Sequence, residues 1–281
     1  MARRRPDARL AEHRKHHYES PQVDIATIVG VLLAALALLG TNSLDGGHLT
    51  ALLQPTAALV VLGGTAGAVA IPFPGTTIAH TFRELLGLVR RQPAAAVREE
   101  TIQLFVAMAG HAQKRGVRIL AGVAETLGDE DERDHMRRAL MLVARQTPAD
   151  AVRDALELEL DRAERDGERA VRVLSSAGGY APTMGILGAV LGLIHVMNNI
   201  SDPSRLGTGI AVAFVATVYG LATANLLLLP LAGRMRERFE HRVDDMELVL
   251  EGACALCEGA DPSVVEYKLS AFGRRPRARA T

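Results

Sequence analysis

The stretch AGGYAPTMGILGAVLGLIHVM, residues 177–197, decides the fold. It carries no charged residue, yet it holds Pro182 near its start, a run of glycines and a histidine near its end. An apolar segment of about 20 residues has the length to cross the hydrocarbon core of a bilayer. Gly178, Ala181, Gly185, Gly188 and Gly192 follow one another at spacings of 3, 4, 3 and 4, which puts all of them on one face of a helix. In lipid, apolar side chains gain nothing by leaving water, so helices associate through close backbone approach and a stripe of small residues is a packing surface.

The same device recurs. Gly209, Ala213, Ala216 and Gly220 mark a second stripe downstream, and Gly63 and Gly67 a shorter one upstream. Two long stripes on adjacent segments predict helix packing beyond a single hairpin pair, in an oligomer or a ring that closes on another helix.

Four stretches approach spanning length: residues 24–41, 50–71, 178–198 and 208–232. The first is short and follows a basic start, as a signal-peptide core does, but a second apolar stretch after a brief loop makes it half of a hairpin. No Lys or Arg occurs between residues 16 and 82, and only Arg205 between 173 and 233. Placing both termini and the middle segment in the cytoplasm puts 31 of the 32 Lys and Arg inside (32 minus Arg205), and this sets the predicted orientation. The external connections, 42–49 and 199–207, are then too short to be ligand-binding domains.

The sequence thus predicts an all-α polytopic membrane protein with four transmembrane helices and a helical cytoplasmic domain between the second and third. Its parts are a basic extension (1–22), a transmembrane hairpin (23–72), a cytoplasmic helical domain (73–176), a second hairpin (177–232) and a cytoplasmic helix with a basic tail (233–281). The extension is a topology anchor that can touch anionic lipid headgroups. Zero formal net charge over 281 residues argues against nucleic acid as a partner.

In the middle segment, Val97, Ile102, Phe105, Val106 and Ala109 share a helical face. Residues 129–146 begin acidic and turn basic, which suits a helix dipole. Thr147, Pro148 and Asp150 then read as N-cap, N1 proline and N3 acid of a long, charge-rich helix leading into the third span. Cys254 and Cys257 form a CxxC pair without the further ligands a zinc site needs, and read as packed, reduced residues.

Pro182 and Pro230 each remove a backbone donor and can bend their helices. Thr183, Thr217, Tyr219, Thr223 and Asn225 add polar groups, and the threonines are expected to bond their own backbone. No span contains Asp or Glu within the membrane, and His195, the one ionisable candidate, reads as packed or interfacial. Proton or sodium transfer needs an intramembrane ionisable group, so a conducting protein of this kind requires a second chain to provide the carboxylate. No HExxH, paired membrane carboxylates or Ser/His arrangement suggests an enzyme.

SSAGGYAPTMGILGAVLGLIHVM and the downstream AVAFVATVYGLATANLLLLPLAGRMRER closely resemble the third and fourth spans of the MotA family of flagellar stator subunits, within the MotA/TolQ/ExbB superfamily. The similarity extends through LVVLGGTAGAVAIPFP and EGADPSVVEYKL and covers about residues 23–272. The resemblance implies a homo-oligomeric ring, a pentamer, in the inner membrane around single-span MotB-type subunits. Each of those bears an essential Asp and a domain that grips peptidoglycan. Ion flow turns the ring, which acts on the flagellar rotor switch protein, with no cofactor.

Pro182 and Pro230 match the family's coupling prolines, Thr217 matches its ion-path threonine, and Thr183 joins that ion-path and coupling set. Ala189 stands where sodium-driven relatives carry a second threonine, which favours protons. The family's rotor-facing charges are displaced: Gln113 and Ala121 occupy the expected arginine and acid positions. Lys114, Arg115, Arg118 and Glu125 are therefore the rotor-contact candidates. The rival readings are a TolQ/ExbB-type energiser of the envelope, which has three spans in a different order, and a non-conducting membrane scaffold.

Overall fold

Every regular element among the described residues is helical. The computed structural model describes residues 29–30, 33, 36, 40, 52–88, 94–127, 131–198, 200–201 and 203–273. The basic extension, most of the first apolar stretch, the loop 42–49 and the tail from 274 lie outside the described residues.

Helix α1 runs over Pro55–Ala70 with a π segment at Leu59–Gly63. The next helices are α2 (Gly75–Gly87), α3 (Ala94–Arg115), α4 (Leu120–Thr126) and α5 (Asp131–Ala144), with a 3₁₀ turn at Val117–Ile119. Then follow α6 (Ala149–Asn198), α7 (Pro203–Ala222), α8 (Leu229–Cys257) and α9 (Pro262–Gly273). Two helical stretches, Ala149–Asn198 and Gly209–Cys257, are long and apolar enough to cross a membrane, and Pro55–Ala70 is a shorter apolar one.

Helix α6 is a single rod of 50 residues. Its polar half, ADAVRDALELELDRAERDGERAV, contains no proline and is rich in strong helix formers. Its first ladder bond runs from the Val152 N–H to the Pro148 carbonyl, 3.0 Å, so it opens one residue later than a Thr147 cap would place it. Pairs such as Arg165–Asp161 and Arg162–Asp166 line its exposed charged stretch and contribute only a few tenths of a kcal/mol each. No break separates this stretch from the apolar one, so the expected boundary at 176/177 falls inside a helix. The boundary at 232/233 likewise falls inside α8.

Two helix ends show their cause plainly. Gly116 closes α3 with φ of 78°, a conformation that side-chain-bearing residues rarely adopt. Gly259 ends α8 at φ 69°, with its N–H on the Leu256 carbonyl and the Ala260 N–H on that of Ala255, the paired bonds of a Schellman motif.

The largest core lies in the segment read as cytoplasmic. Ile102, Phe105 and Ala109 of α3 meet Leu120 of α4, Leu140 and Val143 of α5, and Val152 and Leu156 of α6. Leu248 and Leu256 of α8 and Val265 and Leu269 of α9 complete it. Each fully buried aliphatic side chain here contributes about 1.5–3 kcal/mol. Arg98 staples the outside: its guanidinium reaches Asp245 at 2.7 Å, Asp244 at 3.5 Å and the Phe272 carbonyl at 3.3 Å. Burial nevertheless holds the Asp245 carboxyl above the usual carboxylate range, with Arg98 opposing it.

Candidate functional site

The apolar half of α6 packs antiparallel along α7, and the two small-residue stripes face each other. A Cβ on Gly220 would stand 2.6 Å from the Ala181 carbonyl oxygen and 3.0 Å from the Gly185 Cα. One on Gly192 would lie 2.9 Å from the Ala213 nitrogen, and one on Gly188 2.8 Å from the Ala216 Cβ. Toward the ends of the contact, Gly178 accommodates Leu229 and Gly209 accommodates Val196. Gly178, Ala181, Gly185, Gly188, Gly192, Gly209, Ala213, Ala216 and Gly220 are all buried. The stripes are therefore occupied within one chain, and any neighbouring chain meets other faces of these helices.

Helix α1 covers one side of this pair. Val60 lies against Gly188, Gly64 against Met184, and Ala57 and Val61 against Val215 and Ala216. At about 100° per residue, Pro182 and Ala189 of α6 and Thr217 of α7 fall on the opposite side of the α6–α7 plane, away from α1. All three are half-buried, and Thr183 nearby is exposed. They border a strip of large exposed apolar side chains, Ile186 and Val190 on α6 with Phe214, Val218 and Leu221 on α7. The strip is long, apolar and edged by the hydroxyls of Thr183 and Thr217, which suits another helix lying along it.

The threonines use their hydroxyls locally. Thr217 Oγ1 donates to the Ala213 carbonyl at 3.4 Å and Thr183 Oγ1 to that of Tyr180 at 2.7 Å. Tyr219 departs from this pattern and bonds backbone of α1's lead-in, which its position in the sequence did not announce.

The two prolines behave differently. The α-helix continues through Pro182, which lacks only its own N–H donor, whereas Pro230 is preceded by a π segment at Thr223–Leu228. There the Leu229 N–H reaches back five residues to the Ala224 carbonyl, widening the turn that faces the missing proline donor. Neither apolar stretch, 178–198 or 209–232, contains Asp or Glu. Among the described residues no three His, Cys, Asp or Glu side chains gather as a metal site.

At the far end, beyond the large core, Lys114, Arg115, Arg118 and Glu125 are exposed around the Gly116 turn. Arg118 donates to Gln146 Oε1 at 3.3 Å. Gln113 is held by Asp261, its Nε2 donating at 2.6 Å, and Ala121 is half-buried.

Residues 128–248 match the MotA/TolQ/ExbB proton channel family, and residues 28–116 match Motility protein A N-terminal. Motility protein A of Bacillus subtilis (strain 168) is 31% identical over 247 residues, 88% of this chain and 90% of that one. The chain belongs to the motility protein A family. Among other relatives in this family is the chemotaxis protein PomA of Vibrio alginolyticus, 26% identical over 255 residues, 89% of this chain and 95% of that one.

Two solved stator structures share the fold. The flagellar MotAB stator complex from Bacillus subtilis contains a chain that superposes with a TM-score of 0.77 at 31% identity, covering 87% of this chain and 94% of its own. The C. jejuni MotAB structure gives a TM-score of 0.80 at 23% identity, covering 92% and 99%. The family is one of channel subunits rather than enzymes.

Proposed function

We infer that this chain is the ion-conducting stator subunit of a bacterial flagellar motor, acting with a single-span partner that bears the carboxylate. The observation that carries this reading is the half-buried row Pro182, Ala189 and Thr217 beside an apolar strip, in apolar stretches, 178–198 and 209–232, that have no acid of their own. A conducting path lined on one side by a threonine hydroxyl needs its ionisable group from across the groove.

In this reading four spans cross the cytoplasmic membrane with both termini inside, and copies form a ring, a pentamer by family resemblance, around the partner's helices. Ala189 leaves the site one oxygen short of what a hard cation such as sodium needs, which favours protons. Pro182 and Pro230 couple ion passage to the cytoplasmic core, and Lys114, Arg115, Arg118 and Glu125 contact the rotor switch protein. The absent span acid and the displaced rotor charges are properties of this chain, and the order of its spans favours a stator over an envelope energiser.

The test is a strain lacking this chain, complemented with wild type or with Pro182→Ala. Normal filaments without swimming, rescued by wild type and not by the variant, are expected. Normal swimming in the deletion strain, with no second stator set in the genome, would overturn the reading.

A further inference from the structure

Helix α1 does not begin where its apolar stretch begins. Leu53 and Gln54 are non-helical, and the ladder starts at Pro55 with Gln54 at φ −116° and ψ 97°, without a side-chain cap. In an apolar stretch this leaves backbone groups that water cannot satisfy, and irregular backbone at membrane depth is tolerated only where protein provides partners. Here the partner is Tyr219 of α7. Its hydroxyl donates to the Leu52 carbonyl and accepts from the Gln54 N–H at 3.4 Å, so one side chain satisfies groups on both sides of the irregular turn. Its ring packs with Leu52 and Val212 against Ala57, Val61, Val215 and Ala216.

Tyr219 and Thr217 are two residues apart, about 200° around the helix. The hydroxyl that fastens α7 to α1 is thus on the far side of the same helix from the threonine of the ion path. Rotation of α7 is limited on its second side by the Gly185–Gly220 and Gly192–Ala213 backbone contacts. Those contacts are between small residues and carry no directional bond, so the Tyr219 hydroxyl is the directional restraint among them.

We propose that Tyr219 is a positioning residue of the ion path: its hydroxyl, bonded to Leu52 and Gln54 of the neighbouring span, sets the rotation of α7 and so the aim of Thr217. This rests on the stator reading above.

The experiment uses the whole complex, this chain with its single-span partner, in cells without other stators. Tyr219→Phe keeps the ring in its apolar cluster and removes only the hydroxyl. The variant complex is expected to copurify with the partner within twofold of wild-type yield. Swimming speed at full ion-motive force should fall at least threefold, and the ion-motive force for half-maximal speed, titrated with a protonophore, should rise by at least half. In the purified complex, amide hydrogen exchange at Gln54 should accelerate at least tenfold.

A structural role alone would lower yield and speed together and leave the half-maximal force unchanged, and that result overturns the proposal even if assembly is poor. Unchanged exchange at Gln54 overturns it as well. Wild type failing to restore swimming would instead remove the stator reading, and the role of Tyr219 with it.

Discussion

The backbones of Pro182 and Gly220 touch: a Cβ added to Gly220 would stand 3.2 Å from the Pro182 Cα. The residue proposed to couple ion passage to movement is thus in contact with the neighbouring helix through a position that holds only hydrogen.

Gly220→Ala should force these helices apart, because its three nearest neighbours include backbone atoms at 2.6 and 3.0 Å that no rotamer change can move. Overpacking of this kind costs about 1–3 kcal/mol. The purified complex should melt several degrees lower and swimming should be lost. Gly179→Ala, where nothing lies within 4 Å, is the matched control and should behave as wild type.

Phe105→Ala tests the largest core. The ring is fully buried and fills the space beside Gly252, whose Cβ would meet it at 2.6 Å. Removing it should cost about 3–5 kcal/mol. Cellular abundance should drop severalfold in a quantitative immunoblot, and unchanged abundance would contradict the assignment of this cluster as the main core.

Reversing Lys114 and Arg115 to glutamate should leave yield and partner copurification unchanged, since both side chains are exposed. Torque, read from tethered-cell rotation, should fall at least twofold. Undiminished torque in that double variant would take both residues out of the rotor contact.

Burial pushes the Cys257 thiol up to about 11 from its ordinary 9.0, with Cys254 and Glu258 adding to the shift. The folded state thus holds the neutral thiol, and the unfolded chain ionises first as pH rises. The contribution to stability is present below about pH 9 and is lost as pH rises toward 11. Maleimide should label native Cys257 at least tenfold more slowly at pH 8 than it labels the denatured chain.

Replacing sodium by potassium should leave swimming speed unchanged, whereas a protonophore should stop it. Speed that tracks external sodium would reverse the ion choice drawn from Ala189.

The packing of the two apolar helices was legible because spacing alone reports it. Intervals of 3 and 4 between small residues can be counted, and the structure brings those residues face to face. What spacing could not tell was whether the stripes meet each other or another chain, because a glycine offers the same flat surface to either. The helical face Ile102, Phe105 and Ala109 was legible for the same reason, and all three are buried.

Contacts that hang on one long side chain were not legible. Tyr219 reads as a lone polar residue in an apolar helix, and Arg98 as one charge among many on a surface. Each acquires meaning only when a distant segment arrives: Leu52 and Gln54 for the first, Asp245 and Phe272 for the second. The unbroken run of α6 was half legible, since its sequence lacks a stop, but apolar and charged stretches invite a boundary that hydrogen bonding does not need.

That unbroken rod has a mechanical consequence. The arm from Ala149 to Pro182 is 33 residues, about 50 Å at about 1.5 Å per residue. A bend of about 10° at the proline would sweep its tip sideways by about 9 Å. A small displacement at Pro182 would therefore reach the Ala149 end of the rod as a stroke of about 9 Å. With α8 lying alongside α6, leverage rather than large rearrangement would carry such a motion outward.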